Sequence, residues 1–371
     1  MREDRDLKFM HRAISLAKKA RGKTSPNPMV GAVLVDKNGK IISEGYHRRA
    51  GASHAEVEAI DKAGLKSKAA TLYVSLEPCS SYGQTPPCVD RIIESGIKRV
   101  VIAVLDPNPE NHNRGVRLLK KSGIDIRLGV MREEAEYLNR VFFKHIRERV
   151  PYVSLKAALS LDGRIADNKG LSKWISSGDA RDFVHREIRS KVDAVMVGIG
   201  TVLKDDPSLT LRDSKGRLVK EQPLRVVLDS NLKIPIGANI LKHRKGTLLI
   251  VTSVKTGKKK KREELIKRGV RIIDIAYLSA KGLDLKRVLK ALYREGICHL
   301  LVEGGSSVLS SFLERGLADY LYLFISNMVL GGSYLIYNGR EFKLNKCPKI
   351  VRRDCKIFNN SVMVSGDIVY V

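Results

Sequence analysis

Two spacings of apolar residues alternate along the first 150 positions. Leu7, Met10, Ile14 and Ala17 recur at helical intervals and predict a helix over Leu7–Ala20. Met29–Val35 is an apolar strand run and Ile41–Tyr46 a second strand, with Asn38-Gly39 as the hairpin turn between them. Helical patterns return at Ala55–Ala63, Val89–Ile93 and Val116–Lys121. Thr71–Ser75, Lys98–Val104 and Ile124–Leu128 read as strands, and a longer helix is expected from Arg132 to Arg147. Alternating strands and helices predict a three-layer α/β sheet. The charged stretch Lys144–Arg149 runs up to Pro151, so the domain boundary is placed there, dividing the chain into 1–150 and 151–371.

The second half restarts with a strand at Tyr152–Leu159. A helix is expected over Ala180–Lys191, then strands at Ala194–Gly198, Arg225–Asp229 and Leu248–Thr252. A helix at Glu263–Arg268, a strand at Val270–Ile275, a helix at Leu285–Glu295 and a strand at Cys298–Val302 follow. Another helix opens after Gly304-Gly305, and the chain closes with β-rich segments near Leu321–Ile325 and Ser361–Val371. Parallel strands with crossover helices suit a nucleotide-binding α/β domain. No repeat with a period of roughly 20–50 residues interrupts the order.

Length agrees with two domains, since 371 residues is about twice the usual domain size of roughly 150. A content of 43% hydrophobic and 29% charged residues excludes a disordered chain or a disulfide mini-scaffold. No apolar run approaches the roughly 18 residues of a membrane helix, and the charged start Met1–Asp6 does not read as a signal peptide. Five cysteines is an odd number, so at least one stays unpaired, and without an export signal a reducing cytoplasm is expected, where clustered cysteines bind metal more often than they bridge. The net charge of +28 favours an anionic partner without choosing among nucleic acid, lipid and phosphorylated metabolite. The densest basic run, Lys258-Lys259-Lys260-Lys261-Arg262, is read as a solvated loop.

The sharpest chemical signal is His54-Ala55-Glu56 with Pro78-Cys79 and Cys88. One imidazole and two thiolates supply three zinc ligands and leave a fourth position for water. His54 and Glu56, two apart at a helix start, set a ligand beside a carboxylate that can move protons. Zinc deaminases often carry Cys-x-x-Cys, whereas here Ser80–Pro87 separate the two cysteines, a loop long enough to fold over a substrate. A closed structural site would need a fourth protein ligand. His11, His47 and His112 lack such a context. In the second half, Val197-Gly198-Ile199-Gly200-Thr201 and Glu303-Gly304-Gly305-Ser306-Ser307 each follow a strand and can cradle a phosphate, yet neither is the G-x-G-x-x-G fingerprint.

These residues resemble the bifunctional riboflavin-biosynthesis deaminase–reductase family. The resemblance rests on Thr24–Gly31, Gly45-Tyr46-His47, Ala50–Glu56, Glu77–Ser80, Gly83–Cys88 and Asp106–Pro109 in the first half. In the second it rests on Ser160–Ala166, Trp174–Ser177, Gly198–Leu203, Asp205–Arg212 and Glu303–Gly305. It implies a cytidine-deaminase-like zinc domain followed by a dihydrofolate-reductase-like α/β domain. It implies deamination of 2,5-diamino-6-(5-phosphoribosylamino)pyrimidin-4(3H)-one and then NADPH-dependent reduction of the ribosyl chain to ribityl. On this resemblance His54, Cys79 and Cys88 hold zinc and Glu56 shuttles the proton, while Asn27, His47, Asp106 and Asn108 line the pocket. Ala158, Trp174, Thr201, Asp205, Gly305, Ser306, Ser307, Val308, Leu309, Ser310 and Ser311 would meet NADPH. Ser172, Arg189, Leu209, Arg212 and Glu303 would meet the ribose-phosphate substrate, arginine being suited to phosphate by its planar fork.

The chain departs from the family at Ser81, where His is common, at Asn113-Arg114-Gly115, where Gly-x-Gly is usual, and at Asn327, where proline is frequent. The implied partner is a small phosphorylated pyrimidine, with no nucleic acid or membrane, and the chain is expected to form a homo-oligomer. Three alternatives stand beside this reading: a nucleic-acid-editing zinc deaminase with a basic RNA-binding second half, a zinc-stabilised scaffold without activity, and a deaminase whose second half is inactive. Aromatic residues are only 6% of the chain, and no RNA-binding motif accompanies them.

Overall fold

The apolar runs of the first half pair into a single five-stranded sheet. In the computed structural model, which describes residues 2–82, 86–172, 175–213, 215–242, 246–254, 257–277 and 282–371, helix α1 (Arg2–Lys18) precedes the hairpin β1 (Gly31–Val35) and β2 (Ile41–Tyr46). Helix α2 (Ala55–Ala63), β3 (Thr71–Val74), α3 (Cys88–Glu94), β4 (Arg99–Ile102), α4 (Arg114–Lys121) and β5 (Asp125–Leu128) follow. The sheet order is β2-β1-β3-β4-β5, with β1 antiparallel to its neighbours and β3, β4 and β5 parallel. Every residue of β1 is buried, as a continuous apolar strand covered on both faces must be. The two compact units are Met1–Arg149 and Val150–Val371, each with its own sheet.

The single helix expected over Arg132–Arg147 is two, α5 (Arg132–Leu138) and α6 (Arg140–Glu148). Asn139 between them is buried and bonds the Met29 backbone twice: Met29 N donates to Oδ1 at 2.8 Å, and Nδ2 donates to Met29 O at 2.9 Å. The ladder bonds to and from Asn139 are kept, Asn139 N to Ala135 O at 3.2 Å and Phe143 N to Asn139 O at 2.9 Å, but its backbone at φ −100°, ψ 18° leaves the helical region and divides α5 from α6 while the side chain is anchored on Met29.

The second unit is a nine-stranded sheet. Its strands are β6 (Tyr152–Leu159), β7 (Ala194–Gly198), β8 (Leu224–Leu228), β9 (Leu248–Ser253), β10 (Arg271–Ile275), β11 (His299–Val302), β12 (Tyr320–Ser326), β13 (Lys349–Phe358) and β14 (Ser361–Val369). The order is β10-β9-β8-β7-β11-β6-β12-β14-β13; the first seven run parallel and the last two add antiparallel. Helices α7 (Gly178–Phe183), α8 (Ile199–Asp205), α9 (Lys259–Lys267), α10 (Leu285–Arg294) and α11 (Ser306–Glu314) lie between them in sequence.

Three expectations change here. The helix foreseen over Ala180–Lys191 is α-helical only to Phe183, then widens to a π turn at Val184–Ile188 and tightens at Arg189–Lys191. The basic run read as a loop is helical from Lys259, although Lys258, Lys259 and Lys260 remain exposed. Strand β13 carries charge on both faces and is mostly exposed, so it shows no period-two apolar pattern; pairing with β14 makes it a strand. All five cysteines are free, and no described helix is long and apolar enough to cross a membrane.

Candidate active sites

In the first unit the loops after the parallel strands converge on the start of α2. His54 is the residue before α2, Glu56 lies in its first turn, and Cys88 opens α3. Cys79 follows β3 and is drawn to the start of α3: the Cys88 N–H donates to its Sγ at 3.3 Å, and Val89 N donates to its carbonyl at 3.3 Å. His54 Nδ1 lies 3.1 Å from Cys88 Sγ and 3.5 Å from Cys79 Sγ, and one donor atom from each of the three side chains falls within 4.8 Å of the others. The half-buried imidazole of His54 and the sulfurs of half-buried Cys79 and buried Cys88 converge, match the donor preference of zinc and leave a position open. The Cys88 thiol and the His54 imidazole together hold the Cys79 thiol well below the usual thiol range. Cys88 itself is pushed up, first by Cys79 and then by burial. Burial raises the Glu56 carboxyl to about 7, and Glu56 is only 3% exposed.

The ligand loop is tied down from below. Glu77, buried just before Pro78, accepts three backbone N–H groups: from Asp106 at 3.1 Å, Asn113 at 3.0 Å and Val116 at 3.2 Å. Asn113 has φ +60°, a left-handed conformation that asparagine tolerates better than most residues, so it can stand where the family carries glycine. Gly115 cannot be replaced so easily, because a Cβ there would lie 2.3 Å from Pro78 O. Asn111 joins the same turn to the residues that follow Cys79, its Oδ1 accepting from Ser80 N at 3.2 Å and from Ser81 Oγ at 3.0 Å.

In the second unit a cavity of about 870 Å³ opens at the carboxyl ends of β6, β7, β8 and β11, where ligands of parallel sheets bind. Gly198 ends β7 and Gly304 follows β11, and both are small because Val308 packs on them: added Cβ atoms would lie 2.7 Å and 2.8 Å from its side chain. This close contact sets the start of α11 at the cavity wall, with Gly305 and Ser306 facing it. Across the floor, Arg189 and Glu303 form a two-point ion pair, Nε–Oε1 at 2.6 Å and Nη2–Oε2 at 2.8 Å. Burial alone would raise Glu303, but the charge and hydrogen bonds of Arg189 outweigh it and hold the carboxyl down to about 2.

Two family models match, one described as the RibD C-terminal domain over residues 151–358, the other as the cytidine and deoxycytidylate deaminase zinc-binding region over residues 3–104. The riboflavin biosynthesis protein RibD of Aquifex aeolicus is 46% identical over 326 residues, 88% of each chain. The chain belongs to the RibD family. Among solved structures, an Acinetobacter baumannii RibD superposes with a TM-score of 0.87 at 34% identity over 100% of both chains. A diaminohydroxyphosphoribosylaminopyrimidine deaminase/5-amino-6-(5-phosphoribosylamino)uracil reductase from Thermotoga maritima gives 0.83 at 37%, again over 100% of both. As a RibD-family member the chain is a bifunctional enzyme of riboflavin biosynthesis, a deaminase and a reductase, with zinc and NADPH as cofactors. The nucleic-acid-editing alternative is not favoured by these likenesses.

Against the RibD expectations, the deaminase-side residues fall into two groups. Asn27 Nδ2 lies 3.3 Å from His47 Nε2, and the His47 ring stands edge-on to His54 at 5.3 Å, so His47 borders the His54–Cys79–Cys88 cluster and Asn27 lies next to it. Asp106 and Asn108 instead spend their side chains on their own turn. Asp106 accepts from Asn108 N at 2.8 Å and from Asn111 Nδ2 at 3.2 Å, and Asn108 accepts from Glu110 N at 3.1 Å. Burial lifts the Asp106 carboxyl to about 6.

On the reductase side, Ala158, Ser172, Arg189, Thr201, Asp205, Leu209, Arg212, Glu303, Gly305, Ser306, Ser307, Val308 and Leu309 all line the cavity. Ser172 and Asp205, expected to meet different ligands, are bonded to each other at 3.1 Å. Ser310 and Ser311 are not on the lining. They lie in the second turn of α11, and Ser310 Oγ is bonded to Asn338 Oδ1 at 3.0 Å. Trp174 lies outside the described residues. Sequence reasoning missed Lys156, Arg181, His185, Lys204 and Tyr334, which also line the cavity. The alternation of β6 could have pointed to Lys156, two residues before Ala158 on the same face. Nothing local marks Tyr334, which arrives from a distant loop to cover the Lys204 ammonium at 4.4 Å.

Proposed function

We propose that the first unit, read as residues 1–150, deaminates the diaminopyrimidine ribosyl phosphate, and that the second, read as 151–371, reduces the deaminated product. The observation that carries this is the convergence of His54, Cys79 and Cys88 donor atoms within 4.8 Å beside a buried Glu56. These three side chains would hold zinc, which when bound makes water a nucleophile near neutral pH. Glu56, with its carboxyl near 7, takes one proton from the attacking water and passes it to the ring nitrogen, then takes the second from the added hydroxyl and passes it to the amine, which departs as ammonia. Asn27 and His47 present amide and imidazole groups to the pyrimidine edge. Ser80 and Ser81, held on Asn111, border the ring.

In the reductase, NADPH supplies the hydride, which no side chain can. The start of α11 and the Gly198–Thr201 turn receive its phosphates through backbone N–H groups. The Arg189–Glu303 pair and Arg212 receive the substrate, the guanidinium groups suiting its phosphate. The basic balance of +28 favours capture of both anionic molecules.

A free phosphorylated pyrimidine, not nucleic acid, is the substrate in this reading, in the cytoplasm. The chain acts as a homo-oligomer, with exposed Leu344 and Ile357 as apolar positions a second copy would cover. The test is zinc analysis with an ammonia-release assay on the diaminopyrimidine phosphate, followed by NADPH addition. Ammonia release with one zinc per chain, then NADPH oxidation, is the expected result; activity on tRNA alone would overturn it. Sedimentation of the purified enzyme tests the oligomer.

A further inference from the structure

His185 sits in the π turn after α7 and faces the reductase cavity, yet no role has been assigned to it. Its Nδ1 accepts the Arg212 backbone N–H at 3.4 Å. An acceptor at Nδ1 leaves the proton of the neutral ring on Nε2. Nε2 has no protein partner among the described residues, and the ring stands on the cavity lining with Arg189, Arg212 and Glu303.

The neighbouring charges explain why a neutral donor belongs there. Two donor atoms of Arg189 are already engaged by Glu303, so Arg189 offers an anion less than its full fork. Arg212 Nη1 is likewise engaged, donating to Gly216 O at 2.8 Å. Arg181 and Lys156 bring further positive charge to the same wall. Burial and the adjacent Arg189 keep the His185 imidazole neutral, down to about 4, against the opposing pull of Glu303 and Asp182. A neutral N–H adds a directional hydrogen bond without another buried cation.

We propose that His185 is a further substrate-binding residue of the reductase, donating its Nε2–H to a phosphate oxygen of the ribosyl substrate. The inference rests on the reductase reading of this cavity and adds to it a contact that fixes the phosphate end.

The experiment uses the full-length enzyme with the deaminated substrate and NADPH, comparing wild type, His185→Phe and His185→Gln. His185→Phe removes the donor and raises KM about tenfold or more, the loss expected of a hydrogen bond to a charged group, with kcat nearly unchanged. His185→Gln restores an N–H donor of similar reach and recovers most of the affinity. With the dephosphorylated substrate the penalty of His185→Phe disappears. Ammonia release by the first unit calibrates the amount of active enzyme in each sample. A KM for His185→Phe within about twofold of wild type overturns the proposal. So does an equal penalty on the dephosphorylated substrate, or a failure of His185→Gln to recover binding. An inactive wild type would instead overturn the reductase reading on which it rests.

Discussion

Arg189 and Glu303 are 114 positions apart in sequence and meet in two parallel hydrogen bonds on the floor of the reductase cavity. Their side chains are 15% and 9% exposed, so neither charge is well solvated by itself. The pair therefore both shapes the site and makes each partner depend on the other.

Arg189→Ala leaves Glu303 buried without its counter-charge. The expected outcome is loss of NADPH oxidation and a destabilisation of about 3 kcal/mol or more, read as a shift in the denaturation midpoint. Glu303→Gln keeps the shape and should cost less stability while still lowering reductase activity. Equal midpoints for wild type and Arg189→Ala would contradict the buried pair.

Glu56→Gln separates metal binding from proton transfer. Zinc content should stay at the wild-type level while ammonia release falls by about a hundredfold or more. Reductase activity, assayed on the deaminated substrate, should be unchanged. Retained deaminase activity in this variant would remove Glu56 from the reaction.

Cys79→Ser and Cys88→Ser should each lower zinc content and ammonia release together. Treatment of the wild-type enzyme with a chelator should do the same reversibly, with activity returning on zinc addition. The reductase half should survive either treatment, which metal analysis and NADPH oxidation on the same sample can show.

Gly115→Ala tests the close approach beneath the ligand loop. A methyl group 2.3 Å from Pro78 O forces the loop to shift, so deaminase activity and zinc affinity should both drop. Asn113→Gly, which relieves a left-handed residue, should be neutral or stabilising by up to about 1 kcal/mol. Thermal denaturation and zinc titration of the two variants side by side give opposite signs if the geometry holds.

Acid stability should depend on Asp6. Burial opposes its charge, but hydrogen bonds from Arg99 and Tyr73 and the charges of Arg99 and Arg127 win and hold the carboxyl below its ordinary 3.8. Because the folded value is the lower one, this contribution is present above pH 3.8 and fades as pH falls below it. Asp6→Asn should therefore be markedly less stable than wild type near neutral pH, with the gap narrowing below about pH 4 in denaturation curves. A gap independent of pH would show that the Asp6 charge contributes nothing.

Amino-acid order alone was enough for the alternation of strands and helices, because apolar period is a local property that each segment carries with it. It was enough, too, to single out His54, Cys79 and Cys88, whose types metal chemistry demands and whose donor atoms the fold brings within 4.8 Å. It could not foretell the break at Asn139, whose side chain is anchored on Met29, 110 positions away. Nor could it foretell β13, whose charged faces make a strand only because β14 pairs with it. The reductase site is the clearest case. Arg189 and Glu303 were each singled out from the sequence and both line the cavity, but their mutual closure, the π turn that carries His185, and the arrival of Tyr334 over Lys204 exist only once the sheet has gathered them. Contacts between distant segments depend on where the whole chain is packed, and no short stretch of sequence encodes that.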